Sequence, residues 1–417
     1  MSEETQLVEA KKGGAPTKPP FSIDYCSNLL FGMMGADIKF NVITGEIDVM
    51  GNLALLGQDM NDVPHFKRLE TLATLIHSEA RNAFKQCDRS TIQSYLEALA
   101  YQRNYNPVYD HIAGVSFRWD KADRLPEVYR ILGIDEQDAL SRILIKKWFH
   151  QGISLLLNND KSPIAPDGIL VLCGRQGAGK TSFFRKIAIK PEWFGEGLCI
   201  SQYDKDTKRR VVTSWIAELG ELETTMKGDI AALKAFITSP RDQYRLPYGR
   251  SDTVSARRTN MCATCNTTDF LVDQTGNRRF WVVPVGATDL DALRKLDAEQ
   301  LWAQMLLQCE NDRNGFRLTR DEVAQLEERN GKHVTSLPAE DEVRDILQEA
   351  EAFPERWKDT TVTNFVSCYK PLQKYSVKKV SQALDKLGIE PKRVKIHGKV
   401  DRLRRLPILS PYAAVNG

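Results

Sequence analysis

The 417-residue sequence lacks several features that would place it in a common class of protein. No stretch approaches the roughly 20 consecutive apolar residues that a transmembrane helix needs. The N-terminal segment MSEETQLVEAKKGGAPTKPP has no apolar core, which argues against a secretory signal peptide. These absences predict a cytoplasmic protein with no membrane partner.

Cysteine chemistry is also poorly supported, although the chain has eight cysteines. Cys173 and Cys199 lie in apolar runs, which is typical of buried, reduced thiols. Cys262 and Cys265 form a CxxC pair, but a structural zinc ion needs four ligands, and neither a second CxxC nor a histidine pair accompanies it. A thioredoxin-like pair would open a helix, whereas NMCATC is strand-like. We therefore interpret both cysteines of the pair as core residues.

Changes in sequence pattern divide the chain into four parts. Residues 1–20 are polar and predict a disordered tail, and residues 21–160 predict a mostly helical domain with a β-hairpin between Ile38 and Val49. Short β-rich runs alternate with helical patterns over residues 161–310, which predicts an α/β core with a parallel sheet. Residues 311–417 form an acidic spacer and a basic module. The expected strands of the core are Ile169–Cys173, Leu198–Ser201, Val211–Ala217, Asn260–Cys265 and Phe280–Val285.

The basic module, residues 361–417, carries twelve lysines and arginines against three acidic residues, although the net charge of the chain is only +3. Such a distribution is typical of a nucleic-acid contact. SVKKVSQALDKLG predicts a helix capped by Ser376, and KRVKIHGKVDRLRRLPIL predicts a basic hairpin. This order looks like a winged helix, in which Lys378 and Lys379 would contact DNA. The alternative is a small interaction domain with a solvated basic face.

The segment GILVLCGRQGAGKTSFF contains the Walker A pattern, Gly174-x4-Gly179-Lys180-Thr181, between an apolar strand and an amphipathic helix. Its glycines let backbone N–H groups turn toward phosphate oxygens, while Lys180 can reach the β- and γ-phosphates and Thr181 offers a hydroxyl to Mg²⁺. We therefore predict a site for ATP and Mg²⁺. Its residues are Gly174, Arg175, Gln176, Gly177, Ala178, Gly179, Lys180, Thr181 and Ser182.

A phosphate loop needs a carboxylate at the end of a neighbouring strand. VVTSWIAELGELE places Glu218 at the end of an expected strand and Glu221 three residues later. We assign Glu218 to Mg²⁺ and Glu221 to the attacking water, with the reverse order as an alternative. Asp204 and Asp206 are weaker candidates, and a solvated acidic loop is the remaining alternative.

Five segments in this order resemble the virulence-associated protein E family: the Walker A segment, WIAELGELE, DIAALKAFITSPRDQYRLPYGR, CNTTDFL and TGNRRFWVV. The resemblance covers residues 30–310 and is densest over 168–285. It implies an AAA+-like P-loop ATPase of phages and mobile elements, similar to superfamily 3 helicases. Such a protein forms a homo-oligomeric ring, with a hexamer favoured, on single-stranded or forked DNA in the cytoplasm of the host bacterial cell. Because the chain begins close to its helical region, we expect any primase to be a separate partner.

The resemblance also implies roles for individual residues. Asn266, at the end of a central strand, would sense the γ-phosphate beside Glu218. Arg278 or Arg279 would reach the nucleotide of the neighbouring subunit, unless the two only pair with nearby carboxylates. A hairpin would grip DNA in the ring channel, unless it is a solvated surface hairpin with structural arginines. The available DNA contacts are Lys234, Arg245, Tyr248, Arg250, Arg257 and Arg258.

The leading hypothesis is therefore an ATP-dependent DNA helicase of a phage or mobile-element replication system. One alternative is an origin-binding initiator or loader ATPase that does not unwind DNA. The other is a nucleotide-gated regulatory protein.

Overall fold

The computed structural model describes residues 19–51, 62–81, 87–198, 205–220, 230–244, 253–266, 277–331, 338–396 and 399–408. In these ranges the buried apolar side chains form four clusters. One cluster lies in an N-terminal module, two lie on opposite faces of a central sheet, and one lies in a C-terminal module. No helix in the described ranges is both long and apolar enough to cross a membrane.

The N-terminal module is a β-hairpin covered by helices. Its elements are α1 (Ile23–Ser27), a π-helical turn (Asn28–Met33), β1 (Ala36–Asn41), β2 (Glu46–Gly51), α2 (His65–Ala80), α3 (Arg89–Tyr101) and β3 (Asn104–Tyr105). The expected hairpin is confirmed, since β1 and β2 pair antiparallel with Ile38 opposite Val49. Helix α3 begins where the Asp88 side chain accepts a hydrogen bond from the Thr91 N–H, and its apolar face packs with that of α2.

A polar network fastens this hairpin to the start of α2. The carboxylate of Asp48 accepts hydrogen bonds from His65 at 2.7 Å, from Asn41 at 2.9 Å and from the Tyr105 hydroxyl. The interactions of His65 with Asp48, and secondly with Glu46, raise the pKa of His65 to about 9. The imidazolium is therefore the form that holds the hairpin and the helix together at neutral pH.

Three helices lead into the central sheet: α4 (Pro107–Ser116), α5 (Leu125–Ile131) and α6 (Ala139–Leu156). Helix α6 is buried along most of its length because it packs across one face of the sheet. The indole N–H of Trp148 donates to the Met261 carbonyl at 2.9 Å, and the Asn260 side chain donates to the Trp148 carbonyl at 3.0 Å. These bonds fix α6 to a central strand.

The α/β core expected from the sequence is confirmed as a five-stranded parallel sheet flanked by helices. Its elements are β4 (Ile169–Cys173), α7 (Lys180–Ile187), a 3-10 turn (Pro191–Trp193), β5 (Phe194–Leu198), α8 (Lys205–Val212), β6 (Ile216–Leu219), α9 (Ile230–Ile237), β7 (Arg241–Tyr244), β8 (Thr253–Ala256), β9 (Asn260–Cys265), a 3-10 turn (Asn277–Arg279), β10 (Phe280–Pro284), α10 (Leu290–Lys295), α11 (Ala298–Cys309) and α12 (Arg320–Gly331). The strand order is β10-β4-β9-β6-β5, so β4, β9 and β6 lie inside the sheet. Since the strands are parallel, all five carboxyl ends meet at one edge.

Two of the expected strands, β4 and β9, have the predicted bounds, and β10 ends one residue early at Pro284. The expected strand Leu198–Ser201 shares only Leu198 with β5, and its other residues lie outside the described ranges. The expected strand Val211–Ala217 is confirmed only at Ile216 and Ala217, which begin β6, and its earlier part is wrong. Its first residues end helix α8, because the hydroxyls of Thr213 and Ser214 bond back to the carbonyls of the last helical turn.

The C-terminal module contains three helices and a three-stranded antiparallel sheet of order β11-β13-β12. Its elements are α13 (Pro338–Glu351), a 3-10 turn (Pro354–Arg356), β11 (Trp357–Thr360), α14 (Val362–Cys368), a 3-10 turn (Lys370–Lys374), α15 (Val377–Lys386), β12 (Lys392–Ile396) and β13 (Lys399–Pro407). The expected helix is α15, and Ser376 caps it as predicted by accepting a hydrogen bond from the Lys379 N–H. The expected basic hairpin is β12 with β13.

Candidate functional site

The loop between β4 and α7 has the backbone conformation that a phosphate site requires. Gly177 and Gly179 have φ angles of 76° and 83°, in the left-handed region that favours glycine. A side chain at Gly179 would also lie 2.9 Å from Thr288 and Leu290. Because Gly179 is the N-cap of α7, the free N–H groups of the first helical turn point toward the space enclosed by the loop.

Lys180 lies inside this loop and is only 6% exposed. Its ammonium group donates to the carbonyls of Gly174 at 2.7 Å and Arg175 at 2.8 Å. A third contact, at 3.2 Å, joins it to the side-chain oxygen of Asn266, which follows β9. Lys180 and Asn266 are therefore in contact, although they are 86 positions apart in sequence. Both were expected to contact the γ-phosphate.

Glu218 is 2% exposed on β6, directly beside the start of α7. One carboxylate oxygen, Oε1, accepts hydrogen bonds from the hydroxyls of Thr181 at 2.8 Å and Thr264 at 2.9 Å. Burial raises the pKa of Glu218, and these two hydroxyls act in the opposite direction by stabilising the anion. Glu221 and Asp204 lie outside the described residues, as does the side chain of Asp206.

This donor set suits a nucleotide with a divalent cation. The buried carboxylate of Glu218 has two neutral hydroxyls as its hydrogen-bond donors, so a nearby cation would stabilise its negative charge. Carboxylate and hydroxyl oxygens are also the ligands that Mg²⁺ prefers. Lys180 and the start of α7 supply the positive charge for phosphate oxygens. Thr181 and Glu218 are therefore the residues that could hold the ion.

The segment after β10 forms one wall of the phosphate loop, a contact that no sequence motif indicates. The Val285 N–H donates to the Cys173 carbonyl at 2.8 Å, and the Thr288 N–H donates to the Ala178 carbonyl at 3.0 Å. Thr264 was also missed. A threonine within the apolar strand NMCATC was the available signal, because a polar side chain in a central strand needs a partner.

Arg278 and Arg279 lie at the opposite edge of the sheet from the phosphate loop. Strand β10 is parallel to β4, with Phe280 opposite Ile169 and Pro284 opposite Cys173. At about 3.3 Å per residue, the two arginines are roughly 15–20 Å from the loop that follows Cys173. Arg278 is exposed, and Arg279 donates to the Thr238 hydroxyl at 3.4 Å. Neither reaches the nucleotide site of its own chain.

Arg257, which we expected to contact DNA from the hairpin of β7 and β8, is buried. Arg257 is 1% exposed, forms an ion pair with Asp242, and donates to the carbonyls of Phe236 and Ile237 at the end of α9. It is therefore a structural residue at the base of the hairpin and does not present its guanidinium to DNA.

The other expected hairpin contacts divide into two groups. Lys234 is buried on α9, which removes it from a DNA-facing surface, and Arg258 is half-buried, so that burial lowers its pKa. Arg245, Tyr248 and Arg250 lie outside the described residues.

In the C-terminal module, Lys378 and Lys379 are exposed in the first turn of α15. Arg404 of β13 is buried instead and donates to Ser381 at 3.0 Å and Asp385 at 2.7 Å on α15. These bonds fix the β12–β13 hairpin against the helix that carries the two lysines.

Comparison with known proteins gives one family. The virulence-associated protein E-like domain matches residues 114–335, which is more than half of the chain. No curated protein matches. Among solved structures, the apo NrS-1 C-terminal region is similar with 12% identity and a TM-score of 0.49, covering 92% of this chain and 98% of that one. A JCV helicase structure has 11% identity and a TM-score of 0.31, covering 79% of this chain and 94% of that one.

Proposed function

Since the chain belongs to the virulence-associated protein E-like family, we propose that it is an ATP-dependent DNA helicase or translocase of a phage or mobile-element replication system. One observation carries the proposal. Lys180, Thr181, Glu218 and Asn266 meet at the carboxyl edge of the parallel sheet, within hydrogen-bond distance of one another in pairs. Phosphoryl transfer depends mainly on such positioning and on charge stabilisation.

In this proposal each residue has a defined task. Lys180 exchanges the carbonyls of its own loop for β- and γ-phosphate oxygens, and Asn266 orients the attacking water. Thr181 and Glu218 hold Mg²⁺, which when bound polarises the phosphate oxygens. Glu221 remains the proposed residue that polarises the water.

The arginines before β10 support a ring of AAA+ type. Arg278 and Arg279 are far from the phosphate loop of their own chain. Any nucleotide that they contact therefore has to be bound by a neighbouring subunit of a ring, for which we favour a hexamer. Subunits with Lys180→Ala lack a working phosphate loop, and subunits with both Arg278→Ala and Arg279→Ala lack the arginines that would reach across to the neighbouring subunit; we call these two arginines the arginine finger. Mixing the two inactive proteins should restore ATP hydrolysis, since mixed interfaces combine an intact loop with an intact finger. A mixture that stays inactive, while each protein still oligomerises, would contradict the trans role.

The C-terminal module favours a second candidate function, an origin-binding initiator. Its order of one helix, a short strand, two helices and a hairpin supports a winged helix. The exposed Lys378 and Lys379 on α15 fit a duplex groove, while the hairpin held by Arg404 would contact phosphates. Residues Arg245, Tyr248 and Arg250 remain the proposed contacts of the β7–β8 hairpin with single-stranded DNA.

A combined assay of ATP hydrolysis and strand displacement on a forked DNA tests the proposal. We expect hydrolysis stimulated by single-stranded DNA, unwinding of the fork, and loss of both with Lys180→Ala. Lys186→Ala is the matched control, because Lys186 lies on the same helix but donates to the Arg294 carbonyl. Sequence-specific duplex binding without strand displacement would favour the initiator. Hydrolysis that persists with Lys180→Ala would refute the site.

A further inference from the structure

Thr264 occupies a particular position relative to the candidate metal ligand. It lies on β9 two residues after Cys262, which is the register partner of Glu218, and therefore on the same face of the sheet. Its hydroxyl donates to Oε1 of Glu218 at 2.9 Å, the same oxygen that Thr181 contacts at 2.8 Å. Among the residues that the structure describes, Oε2 receives no donor, so the two hydroxyls hold the carboxylate from one side.

The two hydroxyls differ in what else they have to do. A threonine hydroxyl has one proton and two lone pairs. Thr181 belongs to the phosphate loop, and in the proposed function its hydroxyl oxygen would also hold Mg²⁺. Thr264 belongs to an inner strand of the sheet, paired on both sides with β4 and β6, and has no such second task.

We propose that Thr264 is the positioning residue of the metal site: its hydroxyl holds the Glu218 carboxylate in place, so that Glu218 and Thr181 would together hold Mg²⁺. This inference rests on the proposed nucleotide function but adds a residue that no motif assigns. Thr264 acts through Glu218 and does not itself bind the ion. Outer partners of metal-ligating carboxylates typically change metal affinity by about 10–100-fold when they are removed.

The test compares three variants in the full chain. Thr264→Val removes the hydroxyl and keeps the branched shape, while Thr264→Ser keeps the hydroxyl. Thr259→Val is the matched control, because Thr259 is a buried threonine just before β9 whose hydroxyl donates to the Ser214 carbonyl at 2.7 Å and not to Glu218. The measured quantity is the affinity for a fluorescent ATP analogue, first in EDTA and then as a function of Mg²⁺, with thermal unfolding recorded in parallel.

We expect Thr264→Val to bind the analogue in EDTA within about twofold of wild type but to need at least about tenfold more Mg²⁺ for half-maximal effect. Thr264→Ser should restore the wild-type Mg²⁺ dependence, and Thr259→Val should lower only the unfolding temperature. Equal Mg²⁺ dependence in Thr264→Val and wild type would overturn the inference, as would equal changes in Thr264→Val and Thr259→Val. If Thr264→Val does not fold, Thr264→Ala takes its place.

The proposed function and the role of Thr264 are refuted by different results. If the wild-type chain shows no Mg²⁺-dependent nucleotide binding, the proposed function is refuted and the role of Thr264 with it. If wild type binds the nucleotide with Mg²⁺ and Thr264→Val does the same, only the role of Thr264 is refuted.

Discussion

The ion pair between Asp242 and Arg257 gives the sharpest prediction about stability. Both side chains are almost fully buried, with 3% and 1% exposed, at the base of the β7–β8 hairpin. Arg257 also donates to the carbonyls of Phe236 and Ile237 and lies over the Phe236 ring. One guanidinium thus joins the end of α9 to both strands of the hairpin. Changing either partner should loosen this junction.

The expected magnitude follows from the burial of the pair. Asp242→Asn leaves a buried guanidinium without its counter-charge, and Arg257→Met leaves a buried carboxylate, so each should cost about 3–5 kcal/mol in the free energy of unfolding. The double variant removes both charges and leaves mainly the Ile237 carbonyl without the donor it had, because the Phe236 carbonyl still accepts a hydrogen bond from the Ser239 N–H at 3.3 Å. One such carbonyl costs about 1–3 kcal/mol. The two single costs sum to about 6–10 kcal/mol, so the coupling energy of the double-mutant cycle should be at least about 3 kcal/mol.

Urea unfolding followed by far-ultraviolet circular dichroism measures these free energies, with one common slope for all variants. Arg241→Met is the matched control, since Arg241 lies on the same hairpin, is 41% exposed and pairs with the exposed Asp160. This variant should lower the free energy of unfolding by less than about 1 kcal/mol. Binding of single-stranded DNA is measured in parallel. If Arg257→Met had wild-type stability but weaker DNA binding, the residue would be a DNA contact and the buried pair would be refuted.

Two further predictions concern pH and the phosphate loop. The folded-state pKa of His65, about 9, lies above the ordinary value of 6.5, so its stabilisation is complete below pH 6.5 and lost as pH rises through 9. Because the imidazole ring is nearly half exposed, we expect a loss of only about 1 kcal/mol in the free energy of unfolding. This loss should appear as a lower unfolding temperature at pH 10 than at pH 7, and it should be absent in His65→Gln. The same pH dependence in His65→Gln would contradict the role given to His65. Gly179→Ala should abolish binding of a fluorescent ATP analogue, since the new methyl group would lie 2.9 Å from Thr288. In Gly177→Ala the new methyl group has no atom within 4 Å, so this variant should cost only the backbone strain of about 1 kcal/mol. Equal nucleotide affinity in these two glycine variants would show that contact with Thr288 does not matter.

The sequence predicts best where the signal is contiguous. The phosphate loop, the strand before it and the helix after it form one local pattern, so the bounds of the strand and the presence of the helix could be predicted directly. The strand bounds around Val211 could not, because the β-branched run there favours a strand while contacts through Thr213 and Ser214 end a helix. Arg257 was misassigned for a related reason. A hairpin arginine has the same local pattern whether it faces DNA or a carboxylate 15 positions earlier.

The CxxC pair shows how the fold decides between chemical interpretations that the sequence alone leaves close. In a strand, residues three apart point to opposite faces. Cys262 accordingly lies in the hydrophobic cluster on one face of the sheet, and Cys265 lies in the cluster on the other. Their thiols therefore cannot ligate one ion or form a disulfide without breaking β9. Burial raises the pKa of Cys262 well above its ordinary range, so the thiol stays neutral beside Glu218. What Cys265 contributes to the phosphate loop is its backbone, since its carbonyl accepts the Gly174 N–H at 3.2 Å. Cys265 therefore helps to hold the phosphate loop in shape through its backbone, while the strand geometry keeps the two thiols from sharing a metal ion or a disulfide.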